Sequence, residues 1–285
     1  MKEYIFKTIN DDLTLKASIY PHRSSQPKGI ILYFHGGGFV YGSKYDLPKH
    51  HIDIISQAGY SIMSFDYRLA PEASFDLILE DVLDGIDYFI LNKDKLGFSN
   101  LPYFLWGRSA GAYLALLAST NDLSLNPEGI ISYYGYGFTV PDWYETSSID
   151  YLKYPMVTKN LVDNIIKDDF IASASIQERF PLYLYGRQTG QWKSMVFGKA
   201  IDNFKSQYVL GKHNINPNFP PTFIAHNFRD IDVPFAESME LSKLIPNTKV
   251  FTCSAEDHDF DRHENSIHTR NLLNETISFL DSLSD

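Results

Sequence analysis

The sequence predicts an α/β fold, with a mostly parallel eight-stranded sheet and helices on both faces. Two observations predict it. The first is a set of short apolar runs without alternation, at residues 29–34, 60–65, 103–106, 129–134, 221–225 and 248–253. Runs of that kind suit parallel strands buried on both faces. The second is that helical patterns separate them, at residues 47–57, 75–91, 110–119, 235–244 and 264–283. Strands alternating with helices imply parallel crossover units.

The N-terminal segment differs in style. Residues 3–9 and 13–20 alternate like half-buried strands, and Asn10-Asp11-Asp12 between them reads as a turn. That pattern predicts an antiparallel hairpin added to the parallel set. Between residues 139 and 219 no strong buried strand is evident. Helical patterns over 157–167, 176–185 and 196–210 fill the interval, and Ser175-Ile176-Gln177-Glu178 reads as a capping box. A stretch of this length is not a loop. It is read as a helical lid, rich in Tyr, Trp and Phe, inserted into a core made of residues 1–138 and 220–285.

Composition narrows the function classes. The chain has 285 residues, 44% apolar and 21% charged, with a formal net charge of -10. This is enough apolar content for a large core, and the acidic balance argues against binding nucleic acid or anionic membranes. The one cysteine, Cys253, cannot form an internal disulfide and lies in an apolar run, so it reads as a small buried hydrophobe. The first residues carry no signal-peptide pattern and no apolar run approaches 18 residues, so a cytoplasmic protein without a membrane span is expected. A homo-oligomer is compatible with the sequence.

Four segments carry chemistry. Gly107-Arg108-Ser109-Ala110-Gly111 follows an apolar run and precedes a helical one. A serine on such a strand-to-helix turn projects its hydroxyl above the sheet edge, and glycines two positions either side remove collisions. The pentapeptide alone arises by chance in roughly one chain in ten, so the flanking elements carry the argument. His35-Gly36-Gly37-Gly38 directly follows another apolar run. Its bare N–H groups, at Gly37 and Gly38 with that of Ala110, form a candidate oxyanion hole. The spacing lacks the marks of a phosphate-binding loop, and His35 reads as a brace for the glycines.

The acid and the base come from the last third of the chain. After the run ending at Ala225, Asp230 and Asp232 compete as the carboxylate. The D-x-x-V-P spacing favours Asp230 and leaves Asp232 as a solvated turn residue, with His226 structural. His258, in the loop after the last apolar run, is the candidate base, and His263 is its runner-up. The cluster Asp257, His258, Asp259, Asp261 and His263 also raises a metal site, but the spacing does not fit a zinc helix motif. No metal or cofactor is expected. Ser109, Asp230 and His258 occur in the chain order required of a strand-turn-helix serine hydrolase.

With these residues in view, the chain resembles the hormone-sensitive-lipase-like branch of the α/β-hydrolases. The resemblance rests on His35 to Gly38 with Phe39, and on Asp66-Tyr67-Arg68-Leu69-Ala70-Pro71-Glu72. It implies the α/β-hydrolase fold, a 66–72 segment packed beneath the oxyanion loop, and esterase activity on short and medium acyl chains without a cofactor. Some members cleave amides. Arg108 stands where the family usually has Asp. It is expected to pair with a nearby carboxylate, the alternative being attraction of an anionic substrate. Only a short segment precedes the glycine loop, so the 139–219 insertion is expected to replace the family's N-terminal cap. The function expected is hydrolysis of a small-molecule ester through an acyl-enzyme. The alternatives are an amidase or peptidase on the same residues, and a non-catalytic ligand-binding protein on this scaffold.

Overall fold

The computed structural model describes residues 1–284 except 256. Glu256, in the loop read around His258, therefore lies outside the described residues. The N-terminal hairpin comprises β1 (Lys2–Thr8) and β2 (Thr14–Tyr20), paired antiparallel. The parallel strands are β3 (Gly29–Phe34), β4 (Tyr60–Phe65), β5 (Tyr103–Arg108), β6 (Gly129–Tyr133), β7 (Thr222–Asn227) and β8 (Thr248–Cys253). They form one 8-stranded sheet in the order β1-β2-β4-β3-β5-β6-β7-β8.

The runs of β3 to β7 are continuous because both faces are covered, whereas β8, expected to be buried likewise, lies at the sheet edge and is buried only in part. In β3, Ile30, Leu32 and Phe34 face one core, and Ile31 and Tyr33 face the other. Helices α2 (Phe75–Leu96) and α3 (Ala110–Ala118) supply Phe75, Ile78 and Tyr113 to the first core. Helices α1 (Lys49–Gln57) and α8 (Ile267–Asp281) supply Ile55, Leu272 and Leu280 to the second. Helix α2 ends at Gly97, in the left-handed conformation common one residue past a helix.

Between β6 and β7 the chain forms α4 (Lys159–Ile165), α5 (Ile176–Thr189) and α6 (Trp192–Phe197). The capping box is present: the Ser175 hydroxyl accepts from the Glu178 N–H while the Glu178 carboxylate accepts from the Ser175 N–H. The helix expected over 196–210 is not one helix. The chain turns left-handed at Gly198, and the rest of the interval is a 3₁₀ turn (Gly198–Asn203) and a π turn (Phe204–Tyr208). The aromatic side chains there follow tertiary packing: Phe197 packs against Phe75 with ring centroids 4.5 Å apart, in the same core as α2 and α3. Helix α7 (Phe235–Leu244) fixes where this interval begins. The buried Glu237 carboxylate accepts from the N–H groups of Gly137, Thr139 and Val140, the Thr139 hydroxyl and the Trp143 indole.

The 66–72 segment is a hub of buried polar contacts. Asp66 accepts from the Lys44 ammonium at 2.7 Å, and Arg68 forms a two-pronged pair with Asp81. Glu72 and Arg179 of α5 pair at 2.7 Å with both side chains almost fully buried, and Arg179 also donates to the Ala70 carbonyl. Removing one partner of such a pair leaves an uncompensated buried charge. Arg179→Met is therefore expected to lower the unfolding free energy by about 3–5 kcal/mol in a urea titration. A loss below about 1 kcal/mol would show that the pair does not hold α5 to this segment.

Candidate active site

Ser109 occupies the turn between β5 and α3 with φ 53° and ψ -119°, a strained conformation for a non-glycine residue. The turn is this sharp because the chain crosses itself closely. A Cβ on Gly107 would lie 2.0 Å from the Gly111 carbonyl oxygen, and one on Gly111 would lie 2.1 Å from that of Phe34. Only glycine fits at either position, which is the physical content of the pentapeptide. The Ser109 N–H donates to the Tyr133 carbonyl at 2.9 Å, tying the turn to β6.

The structure brings Ser109, His258 and Asp230 into one hydrogen-bonded line. Ser109 Oγ lies 3.0 Å from His258 Nε2, and His258 Nδ1 lies 2.6 Å from Asp230 Oδ2. Asp230 is heavily engaged. Oδ2 also faces His226 Nε2 at 3.0 Å, and Oδ1 accepts the backbone N–H groups of Asp232 at 2.8 Å and Val233 at 3.0 Å. His226 is itself held by the Ser238 hydroxyl at 2.6 Å, the structural place expected of it. Burial works to raise the Asp230 pKa, but the charge of His258 and hydrogen bonds from His226 and His258 outweigh it, leaving the carboxyl well below the usual range.

Burial likewise works to lower the His258 pKa. Here the Asp230 carboxylate wins, with Asp232 and Asp259 adding to it, and the imidazole is pushed up to about 9. The surrounding carboxylates thus favour the charged ring over the neutral one.

Asp232 is not the solvated turn residue expected. Its Oδ1 accepts from the Tyr183 hydroxyl at 2.6 Å and from Arg187 at 2.8 Å, and Arg187 also donates to its carbonyl at 2.9 Å. The cause is the interval between β6 and β7: α5 lays Tyr183 and Arg187 over the turn that holds Asp230 and Asp232, burying a carboxylate that local sequence reads as exposed. The Arg187 guanidinium is boxed by aromatic rings, Tyr151 at 5.2 Å and Trp143 at 5.3 Å among them. Neither Arg187 nor Tyr183 was singled out from sequence, because each lies more than 40 residues from its partner. His263 sits away from the serine, exposed and 2.6 Å from Asp257. Asp261 is buried against Arg108 at 2.9 Å, the carboxylate partner expected for that arginine. Among the described residues, no group of three or more His, Cys, Asp or Glu is arranged to hold a metal ion.

The glycine loop lies opposite the serine. His35 braces it: Nδ1 lies 2.8 Å from the Gly36 carbonyl, and the ring stacks on Tyr67 with centroids 4.1 Å apart. Gly37 and Gly38 line the cavity that also exposes Ser109 and His258. Ala110 is the first residue of α3, a position whose N–H has no carbonyl partner within the helix. The cavity measures about 550 Å³, and Tyr41, Tyr151, Tyr154, Phe180 and Tyr183 form much of its wall.

Comparison with known proteins agrees with this architecture. A family model described as BD-FAE matches residues 18–245. The hormone-sensitive lipase of Mus musculus is 30% identical over 117 residues, which cover 40% of this chain and 15% of the mouse protein. The chain thus spans only a small part of that relative's length. A protein of unknown function from Staphylococcus aureus subsp. aureus Mu50 superposes with a TM-score of 0.87 at 30% identity, covering 100% of both chains. An alpha/beta hydrolase superfamily protein from Enterococcus faecalis superposes with a TM-score of 0.77 at 25% identity, covering 94% of this chain and 96% of its own. The fold is that of an α/β-hydrolase of the hormone-sensitive-lipase-like kind. No helix among the described residues is long and apolar enough to cross a membrane.

The electrostatics of the site give a direct expectation. In Asp230→Asn the carboxylate that raises the imidazole is gone while burial remains, so the His258 pKa falls from about 9 toward or below the ordinary histidine value of about 6.5. Titration of the His258 ring protons by NMR measures this. An imidazole that titrates at the same pH in both proteins would show that Asp230 does not set its charge.

Proposed function

The chain belongs to the BD-FAE family, and from that premise we propose that it is a serine hydrolase that cleaves small carboxylic esters. The observation that carries the proposal is the line from Ser109 Oγ through His258 to Asp230, with distances of 3.0 and 2.6 Å. Neutral His258 takes the Ser109 proton as the hydroxyl attacks the ester carbonyl. Asp230 fixes the tautomer that leaves Nε2 facing the serine and stabilises the imidazolium that forms. The N–H groups of Gly37, Gly38 and Ala110 serve as donors to the oxyanion, each worth about 10²–10³ in rate. The imidazolium protonates the departing alcohol, an acyl-enzyme remains on Ser109, and water activated by His258 releases the acid.

We assign residues 139–219 the role of a helical insertion that closes one side of the cavity. Tyr151, Phe180 and Tyr183 from this interval, with Tyr41 across from them, support that assignment. A cavity of about 550 Å³ suits a small organic ester. The aromatic wall supplies apolar contact, with phenol hydroxyls available to orient the substrate.

The proposal predicts turnover of 4-nitrophenyl acetate and a loss of about 10⁶-fold in kcat for Ser109→Ala. Turnover of 4-nitroacetanilide is expected to be far slower. Anilide hydrolysis as fast as ester hydrolysis would make the protein an amidase. Ester turnover unchanged in Ser109→Ala would remove the serine mechanism altogether.

A further inference from the structure

We infer that Arg108 and Asp261 form a buried strut that sets the separation of Ser109 from His258, and so act as positioning residues for that pair. The inference rests on the roles proposed for Ser109 and His258. Arg108 is the last residue of β5 and the chain neighbour of Ser109, while Asp261 lies three residues beyond His258 in the 3₁₀ turn Phe260–Arg262. Arg108 Nη2 donates to Asp261 Oδ1 at 2.9 Å, with 2% and 0% of the two side chains exposed. The two loops that carry nucleophile and base are thereby joined by one contact that contains neither.

Other groups converge on the same carboxylate. The Tyr134 hydroxyl donates to Asp261 Oδ1 at 2.7 Å, and His51 Nε2 lies 2.9 Å from Oδ2. His50 Nε2 adds a contact at 2.9 Å to the Asp261 carbonyl. Burial drives the His51 pKa down to about 4 against the pull of Asp261, so His51 is neutral and Arg108 supplies the countercharge. Asp261 stays ionised because Arg108 and then His51 outweigh the burial that works against its charge. The turn is thus fixed from β5, from the end of β6 and from α1.

Tyr134 transmits the fixed position to the base. It stands at φ 40°, and its ring lies 4.6 Å from the His258 ring, centroid to centroid. One side chain therefore holds Asp261 through its hydroxyl and packs its ring against the imidazole at a tilt of 60°. On its other side the His258 loop is held by Asn227, which receives the Ala255 N–H at 3.0 Å and donates to the Asp257 carbonyl at 3.2 Å. Asp257 itself is exposed. Without the strut, the imidazole would keep its Asp230 contact but lose the wall that fixes its distance to Ser109. A displacement of about 1 Å at a reacting pair costs about 10²-fold in rate.

The test reads activation of Ser109 separately from ester specificity. A fluorophosphonate labels the wild-type chain, and the second-order rate of labelling is measured at a temperature where circular dichroism shows each variant folded. Asp261→Asn is expected to label about 10²-fold more slowly, and to lower kcat for 4-nitrophenyl acetate with KM within about twofold. Arg108→Lys, which keeps a cation, is expected to retain more of the labelling rate than Arg108→Met. Tyr134→Phe, which keeps the ring but loses the hydroxyl, is expected to fold and to label several-fold more slowly, so it carries the test if Asp261→Asn does not fold. Variants that melt earlier yet label at the wild-type rate would overturn the inference, leaving the strut a purely stabilising pair. A wild-type chain that does not label at all would instead overturn the proposed function, and this inference with it.

Discussion

The geometry of the whole site depends on one crowded point, where β5 turns into α3 at Ser109. The carbonyl oxygens of Gly111 and Phe34 come so close to Gly107 and Gly111 that neither glycine can carry a side chain. That packing holds Ser109 at positive φ and lifts its hydroxyl off the sheet edge. The remaining groups reach it because β3, β5, β7 and β8 run parallel, so the loops at their C-terminal ends share one rim. The glycine loop follows β3, Asp230 follows β7 and His258 follows β8. Residues separated by more than a hundred positions thus meet without any long loop.

Charge at this rim is distributed in matched pairs. Asp230 faces His258, Asp232 faces Arg187, and Asp261 faces Arg108. In a low-dielectric setting each unpaired member would be costly. Arg187 and Asp232 tie the acid turn to α5, and the Asp232 N–H in turn donates to Asp230. Arg108 and Asp261 tie the His258 loop to β5. The interval between β6 and β7 therefore bears on the acid turn as well as on the cavity wall.

The sheet was legible because burial on both faces leaves an unbroken apolar run, as at Ile30 to Phe34. That Ser109, Asp230 and His258 meet was legible because each follows such a run, and the runs end on one rim. Asp232 was misread, since its environment is made by Tyr183 and Arg187, and no local pattern encodes a partner that distant. The arginine before Ser109 gave a partial signal: a cation there needs a countercharge, yet sequence alone named no particular carboxylate for it. The 196–210 interval failed for another reason. Its spacing of apolar residues suits a helix, but Phe197 and Phe204 pack into the α2 and α3 core with a chain broken at Gly198.

The most direct test of the account is a crystal structure of the chain after reaction with a fluorophosphonate. The account predicts a phosphorus atom bonded to Ser109 Oγ, with the phosphonyl oxygen within hydrogen-bond distance of the N–H groups of Gly37, Gly38 and Ala110. His258 would remain between that adduct and Asp230. An adduct on another residue, or a phosphonyl oxygen pointing away from the glycine loop, would contradict it.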